Sequence, residues 1–159
     1  MPPRRPAAGP RGPFRWKRAL AVVVVLFAAI QIVPVSRTNP PVETMVPAPP
    51  EVHAVLRRAC IDCHSNETAW PWYAHVAPAS WLVTHDVNSG REHMNFSTWN
   101  RLAPNERTEI AQKIREEVAR GTMPLGIYTP LHPEAVLSDV REGYVTETEA
   151  RKHYPHAFA

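Results

Sequence analysis

Two cysteines occur in the whole chain, and they stand three residues apart, directly before a histidine. The segment reads Cys60-Ile61-Asp62-Cys63-His64, a C-x-x-C-H pattern. Two thiols at this spacing on a helix reach both vinyl groups on one edge of a porphyrin, and the next imidazole then lies beneath the iron. We therefore expect one covalently bound haem c, held by Cys60 and Cys63, with His64 as the proximal iron ligand. This pattern constrains the fold strongly, because a large flat cofactor must fill the interior.

Three other interpretations of the two cysteines are weaker. A thioredoxin-like redox pair needs a βαβ setting, and the sequence has no such pattern. A zinc site needs further ligands, usually from a second paired motif, and only scattered histidines are available. A structural disulfide would close a very short loop and stabilise little. By chance the full pattern would arise in roughly six of ten thousand chains of this composition.

The composition indicates a small apolar core and gives no sign of nucleic-acid binding. The chain of 159 residues has 18 prolines and few aliphatic residues beyond its N-terminal part. A domain of about 100 residues with so thin a core is marginally stable, so a bound cofactor would supply the missing interior. The net charge of +3 comes from the first eighteen residues, which contain six basic and no acidic side chains. The remainder has no basic patch with interleaved aromatics.

An apolar run near the N-terminus predicts a membrane anchor. Residues 19–35 are almost entirely apolar, and the preceding basic tail, residues 1–18, flanks them on one side only. The positive-inside rule keeps that tail cytoplasmic and places the rest in the periplasm, so we expect a single-pass protein of the inner membrane. A cleaved signal peptide is the alternative, although the run is long for one and has no clean cleavage site. Residues 36–50 are rich in proline and predict a stiff extended spacer.

From residue 51 onward the patterns are helical. Capping residues and apolar spacing predict helices over about 51–59, 78–94, 104–120 and 146–153. Alternating strand patterns are lacking. We therefore predict an all-α fold, a small cytochrome c-like helical domain over residues 51–138 with long loops around one haem. A polar C-terminal segment, residues 139–159, follows it.

A sixth ligand to the iron is expected in an electron carrier. Met123 lies between Gly121 and Pro124 directly after the long helix, where a stiff loop can approach the iron, and it is the preferred candidate for the distal metal ligand. We interpret Met94 as core packing. An open sixth position remains an alternative, as does a histidine from the set His75, His85, His93 and His132.

Several motifs follow one another along the chain: 60–68 (CIDCHSNET), 70–73 (WPWY), 77–82 (APASWL), 90–91 (GR), 95–99 (NFSTW), 121–124 (GTMP), Tyr128 and 132–135 (HPEA). In this order they resemble the haem-binding domain family of small, often membrane-anchored bacterial c-type cytochromes. The resemblance covers about residues 50–138, and it implies a monohaem domain with His64 proximal and Met123 distal. The chain departs from the family pattern after Ser138: the pattern implies a closing amphipathic helix with an apolar face and a tryptophan, whereas residues 139–159 are polar.

The aromatic residues near the attachment motif predict the wall of the haem pocket: Trp70, Trp72, Tyr73, Trp81 and Trp99. Asn66 and Arg91 are candidates either for contact with the haem propionates or for bracing a loop. The pattern as a whole favours a carrier of single electrons with transient redox protein partners. A haem-based sensor or peroxide-handling protein with a labile distal ligand is the alternative. No small-molecule substrate site and no catalytic constellation are evident.

Overall fold

The computed structural model describes residues 14–141, 143 and 146–158, so residues 1–13 of the predicted basic tail lie outside it. Over these residues the chain is helical and has no β-strand; an isolated bridge pairs Thr44 with Thr98. The prediction of an all-α fold is confirmed. The α-helices of the described part are α1 (Phe14–Ile30), α2 (Pro50–Ala59), α3 (Ile61–His64), α4 (Ala79–His93), α5 (Pro104–Ala119), α6 (Pro133–Arg141) and α7 (Glu147–His153). Short 3-10 helices cover Trp72–His75, Trp99–Arg101 and Pro155–Phe158.

Helix α1 contains most of the apolar run but ends at Ile30, before the predicted limit at Val35. Its last backbone bonds tighten into a turn, in which Val33 N–H donates to the carbonyl of Ile30 at 3.4 Å. Pro34 follows, and a proline disfavours helical geometry in the residue before it, which explains the earlier end. In the part of the chain that the structure describes, no helix is both long and apolar enough to cross a membrane.

The proline-rich segment that precedes α2, residues 36–49, has no regular secondary structure apart from the bridge at Thr44, and it lies along the helical domain instead of standing free. Glu43 N–H donates to Ser97 O at 2.9 Å, and Val46 N–H donates to Phe96 O at 3.1 Å. Asn66 Nδ2 donates to the carbonyl of Pro41 at 2.8 Å. The side chain of Glu43 also forms an ion pair with Arg101. These contacts make the segment part of the domain surface.

The predicted helices over 51–59, 78–94, 104–120 and 146–153 correspond to α2, α4, α5 and α7. Proline lies at the first position of α2 and of α5, where its missing N–H costs nothing. In α7 the Thr146 hydroxyl accepts from Glu149 N–H at 3.2 Å and caps the helix. Helix α6 was not predicted, and it includes the predicted boundary between residues 138 and 139.

Two apolar clusters form the core. The first joins Leu56 of α2, Ile61 of α3, Phe96 and Trp99, with the partly buried Ile110 and Ile114 of α5 packed against it. Every residue of α5 is at least partly exposed, so this helix covers the cluster from outside.

The second cluster closes the domain at its C-terminal end, with Val136 of α6 against Ala150, Tyr154 and Ala157. The expected closing helix with an apolar face and a tryptophan is replaced by these small alanines and one tyrosine.

Candidate functional site

The C-x-x-C-H motif forms a tight helical junction between α2 and α3. Cys60 ends the first helix, with its N–H donating to Leu56 O at 2.9 Å, and its own carbonyl accepts from His64 N–H at 2.9 Å. The buried Ile61 fixes the turn to the first apolar cluster. Cys60 and His64 are four residues apart, so they share one side of the turn. The structure therefore places Cys60, Cys63 and His64 together at this junction.

Helix α4 packs directly on this junction because Gly90 has no side chain. A Cβ atom at residue 90 would lie 2.5 Å from the carbonyl oxygen of Cys63 and 3.3 Å from its Cβ. Those distances are far below ordinary van der Waals contact, so only glycine allows this approach. The Cys63 side chain is partly buried as a result.

Burial controls the chemistry of Cys63. It raises the pKa of this thiol to about 11, with the negative charges of Asp62 and Asp86 adding to the effect and Arg91 opposing it. Cysteines that take part in thiol–disulfide exchange have lowered pKa values, which favour the reactive thiolate. The environment of Cys63 therefore argues against a thioredoxin-like role.

The imidazole of His64 is oriented by a backbone carbonyl. His64 Nδ1 lies 3.2 Å from the carbonyl oxygen of Met94, and a carbonyl can only accept, so Nδ1 carries the hydrogen. In the neutral ring Nε2 is then unprotonated and available to a metal, as in histidine ligands whose other nitrogen donates to the protein. Burial lowers the pKa of His64, although the carbonyls of Met94 and Gly90 partly oppose that shift, and a lowered pKa favours the neutral, ligating form.

The loop that follows His64 is braced by Arg91. Its guanidinium donates to the carbonyls of Ser65 and Thr38, both at 2.7 Å, and to the side-chain oxygens of Thr68 and Asn39, at 2.8 and 2.9 Å. This arginine therefore ties the loop after the motif to segment 36–50. Of the two roles considered from the sequence, the structure shows the bracing one.

Asn66 braces the same loop from the other side. Its backbone N–H donates to the Ser97 hydroxyl at 2.9 Å, and its side chain joins Pro41 and Asn95.

A cluster of polar aromatic residues adjoins the motif and was not foreseen from the sequence. The Tyr128 hydroxyl donates to Asp62 at 3.1 Å, and the Tyr128 ring stacks on His132 with centroids 4.0 Å apart. His132 Nε2 lies 2.9 Å from the Tyr73 hydroxyl, while its Nδ1 lies 3.1 Å from Glu134. Burial, reinforced by the charge of Asp62, raises the pKa of Tyr128. Both ring nitrogens of His132 have protein partners, which disfavours this residue as an iron ligand.

The other histidines considered as ligands lie at the surface. His85 is exposed and pairs with Asp86, and His93 Nδ1 lies 2.8 Å from the carbonyl of Ser89. His75, at the end of the Trp72–His75 helix, is also exposed.

The two candidate methionines have different surroundings. Met94 packs against the first apolar cluster, which is the role predicted for it. Met123 lies in the loop after α5, in a small cavity that is lined by Val118 of that helix and by residues of the C-terminal end, including Val136, His153 and Tyr154. The residues that line this cavity with Met123 include none from the C-x-x-C-H motif. Its role as distal ligand remains a prediction.

The tryptophans divide into distinct environments. Trp99 belongs to the first core cluster, Trp70 donates to Asn39 at 3.3 Å, and Trp72 is exposed. Trp81 Nε1 and the Thr84 hydroxyl, one turn apart on α4, are buried without a hydrogen-bond partner in the described residues. Leaving such groups unsatisfied costs about 1–3 kcal/mol each, so ordered water or a bound polar group is expected beside them.

These observations fit a haem group. Two thiols and an oriented, neutral imidazole are the donors that a c-type haem requires, and unsatisfied buried polar atoms on the adjoining α4 could meet its carboxylates or ordered water. A zinc centre fits less well, because among the described residues no group of three or more His, Cys, Asp or Glu side chains could hold a metal ion.

In a comparison with protein families, the chain matches the model of the haem-binding domain over residues 25–147. No curated protein and no solved structure matches the chain. The family match spans most of the chain and includes the C-x-x-C-H junction, Arg91, Met123 and the Tyr128–His132 pair. The chain therefore belongs to the haem-binding domain family.

Proposed function

We propose that the protein is a membrane-anchored monohaem c-type cytochrome that carries single electrons in the periplasm. The observation that carries the proposal is the junction at residues 60–64. There two cysteines precede a histidine whose Nδ1 faces the carbonyl of Met94 at 3.2 Å and whose Nε2 is left for iron. Membership of the haem-binding domain family supports haem as the cofactor. Covalent attachment, the ligand set and electron transfer are the parts that we add.

Each residue of the site has a defined task in this proposal. Cys60 and Cys63 form the thioether bonds to one haem c, and His64 is the proximal ligand to its iron. Iron with two protein ligands supplies a reversible one-electron change and leaves no position for substrate. The chain keeps His64 neutral by burial and holds its ring in place through Met94 O.

Met123 is the proposed distal ligand, and the bracing of its loop supports the choice. The Tyr154 hydroxyl lies 2.8 Å from the carbonyl of Gly121 and 2.9 Å from that of Pro124, on either side of Met123. A hydroxyl between two loop carbonyls limits the movement of the intervening residue. Among the competing histidines, His132 has partners at both ring nitrogens.

For the membrane anchor, the proposal rests on the exposed apolar surface of α1. Leu20, Val24 and Phe27 are each about half exposed or more, and the residues between them are apolar as well. Lys17 and Arg18 precede this stretch, which favours a cytoplasmic N-terminus and an inner-membrane location with the haem domain in the periplasm. Gln31, just after α1, bonds to Ala77 of the domain, which favours a retained anchor over a cleaved signal peptide. The expected partners are the membrane and transient redox proteins.

Optical spectroscopy tests the function. The full chain, produced with a cytochrome c maturation system, is compared in its oxidised and reduced forms with Met123→Ala and, as a control, Met94→Leu. We expect a low-spin spectrum with the weak red band of methionine–iron ligation in the wild type and in Met94→Leu, and its loss in Met123→Ala. A high-spin spectrum of the wild type, or prompt carbon monoxide binding by its reduced form, would overturn the electron-carrier proposal in favour of a sensor or peroxide-handling protein.

A further inference from the structure

One stretch of the domain combines exposed apolar side chains with a complete lack of formal charge. From Thr68 to His85 the sequence contains no Asp, Glu, Lys or Arg. Within it, Trp72 is 78% exposed, Leu82 43% and Val76 37%. Exposed single apolar residues are ordinary, but a tryptophan this exposed in an uncharged stretch is unusual for a surface that faces only water.

This stretch is attached to the end of α1 by a paired hydrogen bond. The Gln31 side chain donates through Nε2 to the carbonyl of Ala77 at 3.2 Å and accepts at Oε1 from Ala77 N–H at 2.9 Å. Gln31 Nε2 also donates to Phe27 O, at 3.0 Å, within the last turn of α1. The backbone around Ala77 therefore lies against the C-terminal end of the apolar helix.

A second set of bonds prevents the domain from swinging about that point. Thr38 and Asn39 accept from Arg91, and Asn39 Nδ2 donates to the carbonyl of Thr68 at 2.9 Å. The chain between α1 and the domain is thus fixed at Gln31 and again at residues 38–39. So short a connection, held at both ends, gives the domain one orientation relative to α1.

We propose that residues 72–82, which we call the interfacial segment, rest on the headgroup region of the bilayer that α1 enters. The inference depends on the proposed membrane anchor and extends it to the orientation of the domain. Tryptophan prefers the membrane–water interface, where its ring is in an apolar layer and its N–H remains hydrated. The uncharged composition avoids the cost of desolvating ionised groups. We assign the bilayer as the partner of this surface because the interfacial segment contacts the end of α1, the helix that enters the bilayer.

Photo-crosslinking in a bilayer tests this placement. The photoreactive residue p-benzoylphenylalanine is introduced at one position at a time in the full haem-containing chain, reconstituted in phosphatidylcholine nanodiscs. Position 72 probes the interfacial segment, position 24 in α1 is the positive control, and position 113, on the exposed side of α5, is the negative control. Position 82 provides a second probe of the segment, and an unchanged haem spectrum shows that each variant is folded.

The expected result is lipid adducts at positions 24, 72 and 82, and no adduct at position 113. Adducts at position 24 with none at 72 and 82 would overturn the interfacial placement and leave the membrane anchor standing. A chain without adducts at position 24 would refute the anchor, and the inference would fail with it.

Discussion

The contact between α4 and the attachment motif depends on the missing side chain of Gly90, which makes Gly90→Ala a sharp perturbation. The added Cβ would meet the carbonyl oxygen of Cys63 at 2.5 Å and its carbonyl carbon at 3.0 Å. Both are backbone atoms of a short helix, so no side-chain rotation relieves the clash. Helix α4 must move away from α3 by a sizeable fraction of an ångström.

The magnitude follows from two opposing effects. Overpacking a close contact destabilises the folded state by about 1–3 kcal/mol. Because the neighbour here is backbone that cannot rotate away, we take about 3 kcal/mol. Replacing glycine by alanine inside a helix returns about 1 kcal/mol through helix propensity. The expected net loss is about 2 kcal/mol in the free energy of unfolding. For a domain of this size that corresponds to a fall of about 10 °C in Tm.

Thermal unfolding of the full-length protein, followed by far-ultraviolet circular dichroism, measures the effect. Gly126→Ala is the matched control, because a Cβ at residue 126 has no neighbour within 4 Å. We expect the Tm of this control to be unchanged or slightly raised. If Gly90→Ala is as stable as the wild type, or more stable, helix propensity outweighs the clash and the described contact between α4 and Cys63 is wrong.

Three further predictions concern residues around the site. Arg91→Lys removes most of the four hydrogen bonds that the guanidinium donates, so the free energy of unfolding in urea should fall by about 1.5–3 kcal/mol. An unchanged midpoint would contradict the bracing role. Tyr154→Phe removes the hydroxyl between the carbonyls that flank Met123, so the red band should be lost at a lower alkaline pH and reduced protein should bind carbon monoxide faster; wild-type behaviour in both assays would refute the bracing of the loop. Because burial raises the pKa of Tyr128 in the folded protein, the unfolded chain loses this proton first, and stability should fall as the pH rises above about 10. In Tyr128→Phe the urea midpoint should therefore fall less steeply with pH between pH 9 and 11. An equally steep fall in the variant would show that Tyr128 is not the responsible group.

The features that were predictable from the sequence are local ones. The C-x-x-C-H motif is contiguous, so its geometry follows from a single helical turn. Helices α2 and α5 have proline at their first position, and the Thr146 side chain caps α7. Such signals act within a few residues and can be read directly along the chain.

The features that were missed depend on contacts between distant residues. The bond between Tyr73 and His132 joins positions 59 residues apart, and no periodicity indicates it. Helix α6 is short, and the side chains that cover its buried Val136 come from Ala150, Tyr154 and Ala157. Alanines carry little hydrophobic signal in a sequence, which is why the sequence predicts only a polar C-terminal segment.

For segment 36–50 the sequence indicates the backbone conformation but not the contacts with the domain. Its prolines predict an extended spacer, because proline fixes the backbone and removes a donor, and residues 36–49 have no regular secondary structure apart from the bridge at Thr44. Its attachment to the domain depends on partners such as Ser97 and Arg91, which follow much later in the chain. Composition therefore predicted the conformation of the segment but not its position.

The intact mass of the exported chain tests the central claim most directly. The full-length protein is produced with a cytochrome c maturation system, denatured, extracted with acidified organic solvent and weighed by mass spectrometry. We predict the mass of the chain plus one haem, retained through the extraction and lost in the Cys60→Ser, Cys63→Ser double variant. An unmodified mass for the wild type, when a control cytochrome matures normally in the same cells, would contradict covalent haem attachment and with it the proposed function.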